Sequence, residues 1–289
     1  MSTSLISIIQ AHARPTDPIN PGMAHKLKSL SGIKAVIWDV YGTMFISASG
    51  DIESTHDVPH ETAMQNAFAA MQIDISGVAN QCVSSLHNTI RLHQAQFKNN
   101  GIEYPEINIC DVWMDWTRQM LPDHPFNHQQ IQELIVRYEV QTNPVWEMPN
   151  LRQTLSTLRD NGIKLGIISN AQFYTRLIPH ALLNSSFSDL GFDDDLCVYS
   201  YEHRHGKPDT FLYQEQVRRL ALQGIDPCNV LYVGNDMLKD IWPATQLGFN
   251  TALFAGDQRS LKLHENDSRI DSINPSLVLT DLVQIIECV

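Results

Sequence analysis

The chain has 289 residues, 43% of them hydrophobic, enough to bury the core of one large domain or two ordinary ones. Lys and Arg number 20 against 32 Asp and Glu, and the formal net charge of −12 excludes the basic face that a nucleic-acid binder needs. It leaves room for a local basic pocket holding a small anionic substrate.

The five cysteines are widely spaced and form no C-x-x-C pair, which reads as free thiols in a reducing compartment, the cytoplasm. The twelve histidines do not cluster at zinc spacings, and His203 with His205 is only a weak pair. At the N-terminus Ala11-His12-Ala13 looks like a cleavage site, but no Lys or Arg precedes it and the apolar stretch Leu5 to Ile9 is too short for a signal peptide. No run approaches the length of a membrane span. Pro15, Pro18 and Pro21 then break the pattern. Residues 1–30 are therefore expected to be an appendage, a helix and an arm without chemistry of their own.

Ala35 to Trp38 is an unbroken apolar run that ends abruptly in Asp39, with Gly42 and Thr43 following. Such a run suits a strand buried on both faces of a parallel sheet. A carboxylate at its carboxyl end lies where open α/β sheets bind ligands. Residues 46–60 read as loop. From His60 the period turns helical. Ala63, Met64, Ala67, Phe68 and Met71 form one stripe, and Val83, Leu86, Ile90 and Phe97 a second. Ile109, Val112, Trp113, Trp116 and Met120 form a third, and Ile131, Leu134, Ile135 and Tyr138 a fourth. No strand is expected between 60 and 140, and the stripes predict an inserted helical bundle. The aromatic pair Trp113 and Trp116 reads as core rather than as a ligand box.

Residues 143–149, with two prolines, read as a linker. After it helix and strand alternate: a helix through Leu151, Leu155 and Leu158 stopping at Asn161-Gly162, a strand Leu165–Ile168, a helix Thr175–Leu183 and a strand Leu196–Tyr199. A helix Pro208–Leu222, a strand Val230–Val233, a helix Asp240–Leu247, strands Thr251–Phe254 and Leu277–Leu279 and a closing helix follow. Alternation of this kind predicts an α/β fold, a Rossmann-like doubly wound parallel sheet with an inserted α-helical cap. The expected division is an appendage 1–30, a catalytic core 31–50 with 146–289, and a cap 51–145.

The strand ends carry the polar groups. After the first strand come Asp39 and Thr43, after Leu165–Ile168 come Ser169 and Asn170, and after Val230–Val233 come Gly234, Asn235, Asp236 and then Asp240. Lys207 precedes Pro208 in a loop. In a parallel sheet these ends share one edge. Asp39-Val40-Tyr41-Gly42-Thr43, Ser169-Asn170, Lys207-Pro208-Asp209 and Gly234-Asn235-Asp236 with Asp240 resemble, in order and spacing, the four motifs of the haloacid dehalogenase superfamily. The likeness spans roughly residues 33–289, and the helical insert resembles that superfamily's cap.

The resemblance implies roles. Asp39 would be the nucleophile of a covalent aspartyl intermediate. Thr43 and Ser169, with Asn170 beside them, would donate hydrogen bonds to the substrate's transferring oxygens, and Lys207 would neutralise charge on the phosphoryl group or on Asp39. Magnesium would sit between Asp39, the backbone carbonyl of Tyr41 and a carboxylate of the fourth motif. Asp236 is the expected ligand with Asn235 as the alternate, since family members space the two acids of this motif by four or by five residues. Asp240 would stand behind the ligands, or cap a helix.

Two features depart from the pattern. The residue two after the nucleophile, usually an Asp in the phosphatases, is Tyr41, a poor base at neutral pH. Tyrosine here resembles the 2-haloacid dehalogenases, whose halide leaves without a proton. Those enzymes work without metal, carry a Ser-Ser-Asn type of fourth motif, and take an Arg from the start of the cap. This chain has Asp236 and Asp240, and no Arg or Lys between 56 and 75. Arg91 and Arg118 lie in later helices. The expected activity is a magnesium-dependent phosphatase preferring good leaving groups. A metal-independent dehalogenase and a silent ligand-binding relative are the alternatives, and a homodimer is left open.

Overall fold

The computed structural model describes residues 2–47 and 59–289. The expected cap boundary at 50/51 and most of the expected loop 46–60 lie outside them. Six parallel strands form the main sheet. They are β1 (Ala35–Trp38), β4 (Lys164–Ser169), β5 (Phe192–Tyr199), β6 (Val230–Gly234), β7 (Asn250–Phe254) and β8 (Leu277–Leu279), in the order β5-β4-β1-β6-β7-β8. β1 is central, with Trp38 in register with Ile167 on one side and Val233 on the other. The chain leaves β1 for β4 and β5 on one flank and returns to β6, β7 and β8 on the other. That reversal places the carboxyl end of β1 at the topological switch point, where open α/β sheets hold ligands.

Side-chain alternation builds both faces. Val36 and Trp38 join one apolar cluster with Leu151, Leu155 and Leu158 of the helix Leu151–Asp160. Ala35 and Ile37 join another with Leu212 and Leu220 of the helix Phe211–Leu222. A strand with all four residues buried needs cover on both sides, which is why it reads as one apolar run.

The helices His60–Ala69, Ala79–Asn99, Ile109–Met120 and His128–Thr142 make the inserted cap, with a separate cluster around Met64, Phe68, Trp113, Trp116 and Leu134. Their limits follow the four predicted stripes. The last has an Asn127–Gln130 capping box. The cap is rooted by a two-stranded antiparallel sheet, β2 (Phe45–Ser47) with β3 (Val145–Glu147). This corrects the reading of 143–149 as a plain linker and of the start of 46–60 as loop. Ser47 Oγ donates to Asn143 Oδ1 at 2.8 Å and ties the two stems.

The N-terminal residues form the helix Ser2–His12 and an extended arm. Leu5, Ile8 and Ile9 pack against Val136 of the cap and Ala181 of the core, while Lys26 pairs with Val278 at the edge of β8.

Four expected helices change form. The one expected over Thr175–Leu183 is a 3₁₀ turn, Phe173–Leu177, running into a short α-helix, Ile178–Leu183. The helix after Lys207 begins at Phe211, not at Pro208. The Asn170 side chain pins the Lys207 backbone, holding the intervening residues as a turn. The helix expected from Asp240 is a π-turn, Met237–Ile241, followed by a short α-helix Trp242–Gln246 with Pro243 in its first turn. The closing helix is a 3₁₀ segment, Leu282–Glu287.

Candidate active site

Asp39 leaves β1 with its backbone N–H donating to Val233 O at 2.9 Å, so the neighbouring strand fixes where its carboxylate begins. The turn after it requires Gly42. Its φ is +79°, and a Cβ would lie 2.5 Å from Ser260 Cβ and 2.9 Å from Asn235 Nδ2. The turn's hydrogen bonds run to the carbonyls of Val40 and Phe45, not to that of Tyr41.

Lys207 is buried between two carboxylates. Its ammonium donates to Asp39 Oδ1 at 2.7 Å, to Asp240 Oδ1 at 2.5 Å and to the Tyr232 hydroxyl at 3.3 Å. Its three hydrogens are thereby used. Burial alone would push the Lys207 pKa down, but Asp240 and Asp39 outweigh it and hold the ammonium above the ordinary lysine range. Asp39 is pushed up to about 6, chiefly by burial, with Lys207 pulling it down and Asp240 pushing it up. The Ser169 hydroxyl also supports its charged form.

Asp240 does not cap a helix. Its Oδ1 also accepts from Tyr232 at 2.9 Å and its Oδ2 from the Asp236 backbone N–H at 3.0 Å. The cap is Asp236, whose Oδ1 accepts from the N–H groups of Leu238 and Lys239 at 2.8 and 2.7 Å. His264 Nε2 lies 3.1 Å from Asp236 Oδ2.

Thr43 and Asn170 both bond to other residues of the site. Thr43 is fully buried, and its hydroxyl donates to Asn235 Oδ1 at 3.0 Å. Asn235 is held from the other side by donating to Ser260 O at 2.6 Å. Asn170 Oδ1 accepts from Lys207 N at 2.7 Å and its amide donates to Lys207 O at 3.3 Å, so it positions the lysine. Asp209 accepts from the Phe211 backbone N–H at 3.0 Å and meets His205 Nδ1 at 2.6 Å.

Tyr41 is tied to the core. Its hydroxyl lies 2.8 Å from Thr175 Oγ1, and burial holds its phenol well above the ordinary tyrosine range.

A cavity of about 550 Å³ lies between core and cap. Asp39, Tyr41, Asn170, Lys207, Asn235, Asp236 and Asp240 line its core side. Thr43 and Ser169 do not line it. Trp113 does, so it serves both cap core and cavity wall, beyond the purely structural part expected of it. The loop 104–109 seats the cap: Gln172 donates to Ile107 O at 2.9 Å and Ser200 to Glu106 Oε2 at 2.9 Å. Glu106 and Glu139 both face the cavity, and desolvation raises both carboxyls.

Sequence reasoning missed Tyr232, Ser260, Glu106 and Glu139. Tyr232 hides inside an apolar strand. Ser260 follows Asp257, a polar group after β7 that the search of strand ends would have reached. Glu139 stands four residues after Ile135 on a buried stripe, a usable signal. Glu106 lies between helices and has none.

The donors facing the cavity suit a hard cation. Among the described residues no three His, Cys, Asp or Glu side chains converge as a ready metal cage. Asp39, Tyr41, Asn235 and Asp236 nevertheless line one cavity, and the side chains of Asp39 and Asp236 bring two carboxylates to it. Mg²⁺ takes such carboxylates together with several waters. Asp240 is committed to Lys207, Tyr232 and Asp236 N.

This arrangement, a nucleophile candidate clamped by lysine at the switch point under a helical cap, defines a class of hydrolase. Residues 33–248 match the haloacid dehalogenase-like hydrolases, and the chain belongs to that family. It is 27% identical over 183 residues to the rhythmically expressed gene 2 protein of Drosophila melanogaster, covering 57% of this chain and 67% of that protein. Its fold is shared by a 2-haloacid dehalogenase from Pseudomonas syringae pv. Tomato DC3000, at 20% identity, 88% and 97% coverage of this chain and that one, and a TM-score of 0.51. A HAD phosphatase from Thermococcus onnurineus shares it at 17% identity, 88% and 97% coverage, and a TM-score of 0.50. Among the described residues no helix is long and apolar enough to cross a membrane.

Proposed function

We propose that this hydrolase is a magnesium-dependent phosphatase acting on small phosphorylated metabolites with good leaving groups. The observation that carries the reading is the clamp of Lys207 between Asp39 and Asp240, at 2.7 and 2.5 Å. It neutralises one oxygen of Asp39 and leaves the other to attack phosphorus, forming an aspartyl phosphate that water then opens. Burial pushes the Asp39 pKa up only to about 6, so the carboxylate is ionised at neutral pH, as a nucleophile must be.

Bound Mg²⁺ would be held by Asp39, the Tyr41 carbonyl and Asp236, with Asn235 as alternate, and would offset the repulsion between anionic nucleophile and anionic phosphate. Ser169 steadies the charged form of Asp39. Thr43 holds Asn235 in place, and Asn170 holds Lys207.

The residue two after the nucleophile offers the departing oxygen only a phenol, which burial holds well above the ordinary tyrosine range. Proton transfer at that point contributes about 10²–10⁴-fold when a placed acid supplies it. Aryl and acyl phosphates do without it, and simple alkyl phosphates do not.

Tyr41 favours one second reading, a metal-independent 2-haloacid dehalogenase, because a halide needs no proton. The test is hydrolysis of an aryl phosphate with magnesium and with EDTA, alongside Asp39→Asn. Activity that needs both Mg²⁺ and Asp39 is the expected result. Silence on aryl phosphates with chelator-insensitive turnover of a short 2-chloro acid would replace this reading with the second, and silence on both would leave a ligand-binding relative.

A further inference from the structure

We infer that the leaving group carries no charge of its own and is largely apolar, a ring-sized group seated against the cap wall. The inference rests on the phosphatase reading and concerns the half of the cavity opposite Asp39.

The two walls of the cavity differ in kind. Its lysines are Lys207, Lys239 and Lys262, and all three come from the core. Lys207 is paired with Asp39 and Asp240. Lys239 and Lys262 flank Asp236, the first donating its N–H to Asp236 Oδ1 and the second pairing with Asp236 along the backbone. The Lys207 charge is thus fixed at the end where the phosphoryl group would be transferred, and the Lys239 charge that reaches the cap side acts on Glu106. Among the described residues, the cap contributes no Lys or Arg to the lining.

Instead the cap offers Leu86, Ile90, Ile109, Trp113 and Ile135. The nearest it comes to a cation is the pair His60 and His87, with ring centroids 5.7 Å apart and His60 Nδ1 lying 2.6 Å from the Tyr138 hydroxyl. Glu106 and Glu139 share that wall. Ionised, either carboxyl repels a second anion. A carboxylate or second phosphate on the leaving group would therefore lose its water without gaining a Lys or Arg partner from the cap. An apolar ring loses nothing there and gains contact with Trp113 and the isoleucines. A cavity of about 550 Å³ has room for such a ring beside the phosphoryl group.

Three esters of matched leaving-group type test this: phenyl phosphate, 4-carbamoylphenyl phosphate and 4-carboxyphenyl phosphate, each assayed with Mg²⁺. The last two have the same shape and differ in charge. The expected result is comparable kcat/KM for the first two and a value about 100-fold lower for the carboxylate, expressed mainly in KM. Ile90→Arg, which places a cation on the cap wall, should recover at least about 10-fold of that loss. Ile109→Arg, at another half-buried position of the same wall, serves if thermal melting shows that the first variant does not fold. Equal turnover of carboxylate and carboxamide esters would overturn the inference and leave the phosphatase reading standing. Absence of Asp39-dependent turnover of all three would overturn both.

Discussion

The hydroxyl of Tyr41 lies 2.8 Å from Thr175 Oγ1, which fixes the phenol in place, and burial holds that phenol well above the ordinary tyrosine range, a weak acid for a leaving group. Thr175 is fully buried in the 3₁₀ turn Phe173–Leu177, so the phenol is fixed on the core side of the cavity. Tyr41→Phe should therefore change aryl phosphate turnover by less than about 3-fold, because no proton is lost with the hydroxyl. Tyr41→Asp should raise turnover of a simple alkyl phosphate by at least about 10-fold, from the 10²–10⁴ span open to a placed acid. The ratio of alkyl to aryl kcat/KM in the two variants checks this. A large loss in Tyr41→Phe would return the phenol to the chemistry.

Asp240 holds together more of the site than any group aimed at substrate. Removing its carboxylate in Asp240→Ala takes a partner from Lys207 and Tyr232 and leaves the N–H of Asp236 without its acceptor. Breaking one side of a buried ion pair costs about 3–5 kcal/mol. Asp240→Ala should lower the denaturation midpoint accordingly and abolish turnover. Asp240→Asn, which keeps the shape, should recover part of the stability and little of the activity. Urea titrations read the first effect, and a midpoint unchanged in Asp240→Ala would contradict the clamp.

The turn at Gly42 makes a sharper steric case. Gly42→Ala meets both a left-handed φ of +79° and a Cβ 2.5 Å from Ser260 Cβ. Strain of this kind costs of order 1–3 kcal/mol. Because the displaced partners are Ser260 and Asn235, the loop after β7 and the fourth motif should shift together. Loss of midpoint and loss of activity are expected in the same variant. Thr43→Val, which removes only the bond to Asn235, should cost about 1 kcal/mol and leave the turn intact.

Those residues also mark how far the sequence could be read. The apolar run Ala35–Trp38 was legible because burial on both faces leaves no polar position, and the four cap helices because their stripes are long and amphipathic. The strand ends gave Asp39, Lys207, Asn235, Asp236 and Asp240 as one group because a parallel sheet aligns them, and the structure brings all five to one cavity. The direction of each side chain was not legible. Asn170 turns to a backbone and Thr43 to another motif, and such choices depend on partners distant in sequence. β2 and β3 were missed because three-residue strands carry too little period, and each is made by pairing with the other across the whole cap.

Glu139 links the cavity to pH. Desolvation raises its carboxyl above the ordinary value of 4.5, while Asn143 and Tyr174 pull it back only in part. Between the unfolded and the raised folded value the native state binds more protons than the unfolded one. Stability is therefore full below the unfolded value and falls as pH rises through the folded one. Glu139→Gln cannot ionise and keeps an acceptor for Asn143, which donates to Glu139 Oε1 at 3.2 Å. Its melting temperature should match that of the wild type near pH 4 and exceed it at pH 8. A gap that does not depend on pH would separate Glu139 from this titration.

The N-terminal helix gives a prediction about motion. Leu5, Ile8 and Ile9 bury their side chains between Val136 of the cap and Ala181 of the core, so Ser2–His12 spans the seam along which the cap would open. Farther along, Arg259 donates to Asp17 O at 2.6 Å and Ile19 N to Asp257 at 3.1 Å, which anchors the arm to the loop after β7. Ile8→Ala deletes buried methylenes at the seam, a change that costs about 2–5 kcal/mol where the surroundings cannot collapse. If the helix restrains the cap, part of that loss must appear locally. Amide exchange should quicken in His128–Thr142, the cap helix that carries Val136, more than in the central strands β1 and β6, and substrate KM should rise with the cap less often seated. Exchange that quickens evenly across cap and sheet would show instead that the helix adds only to global stability.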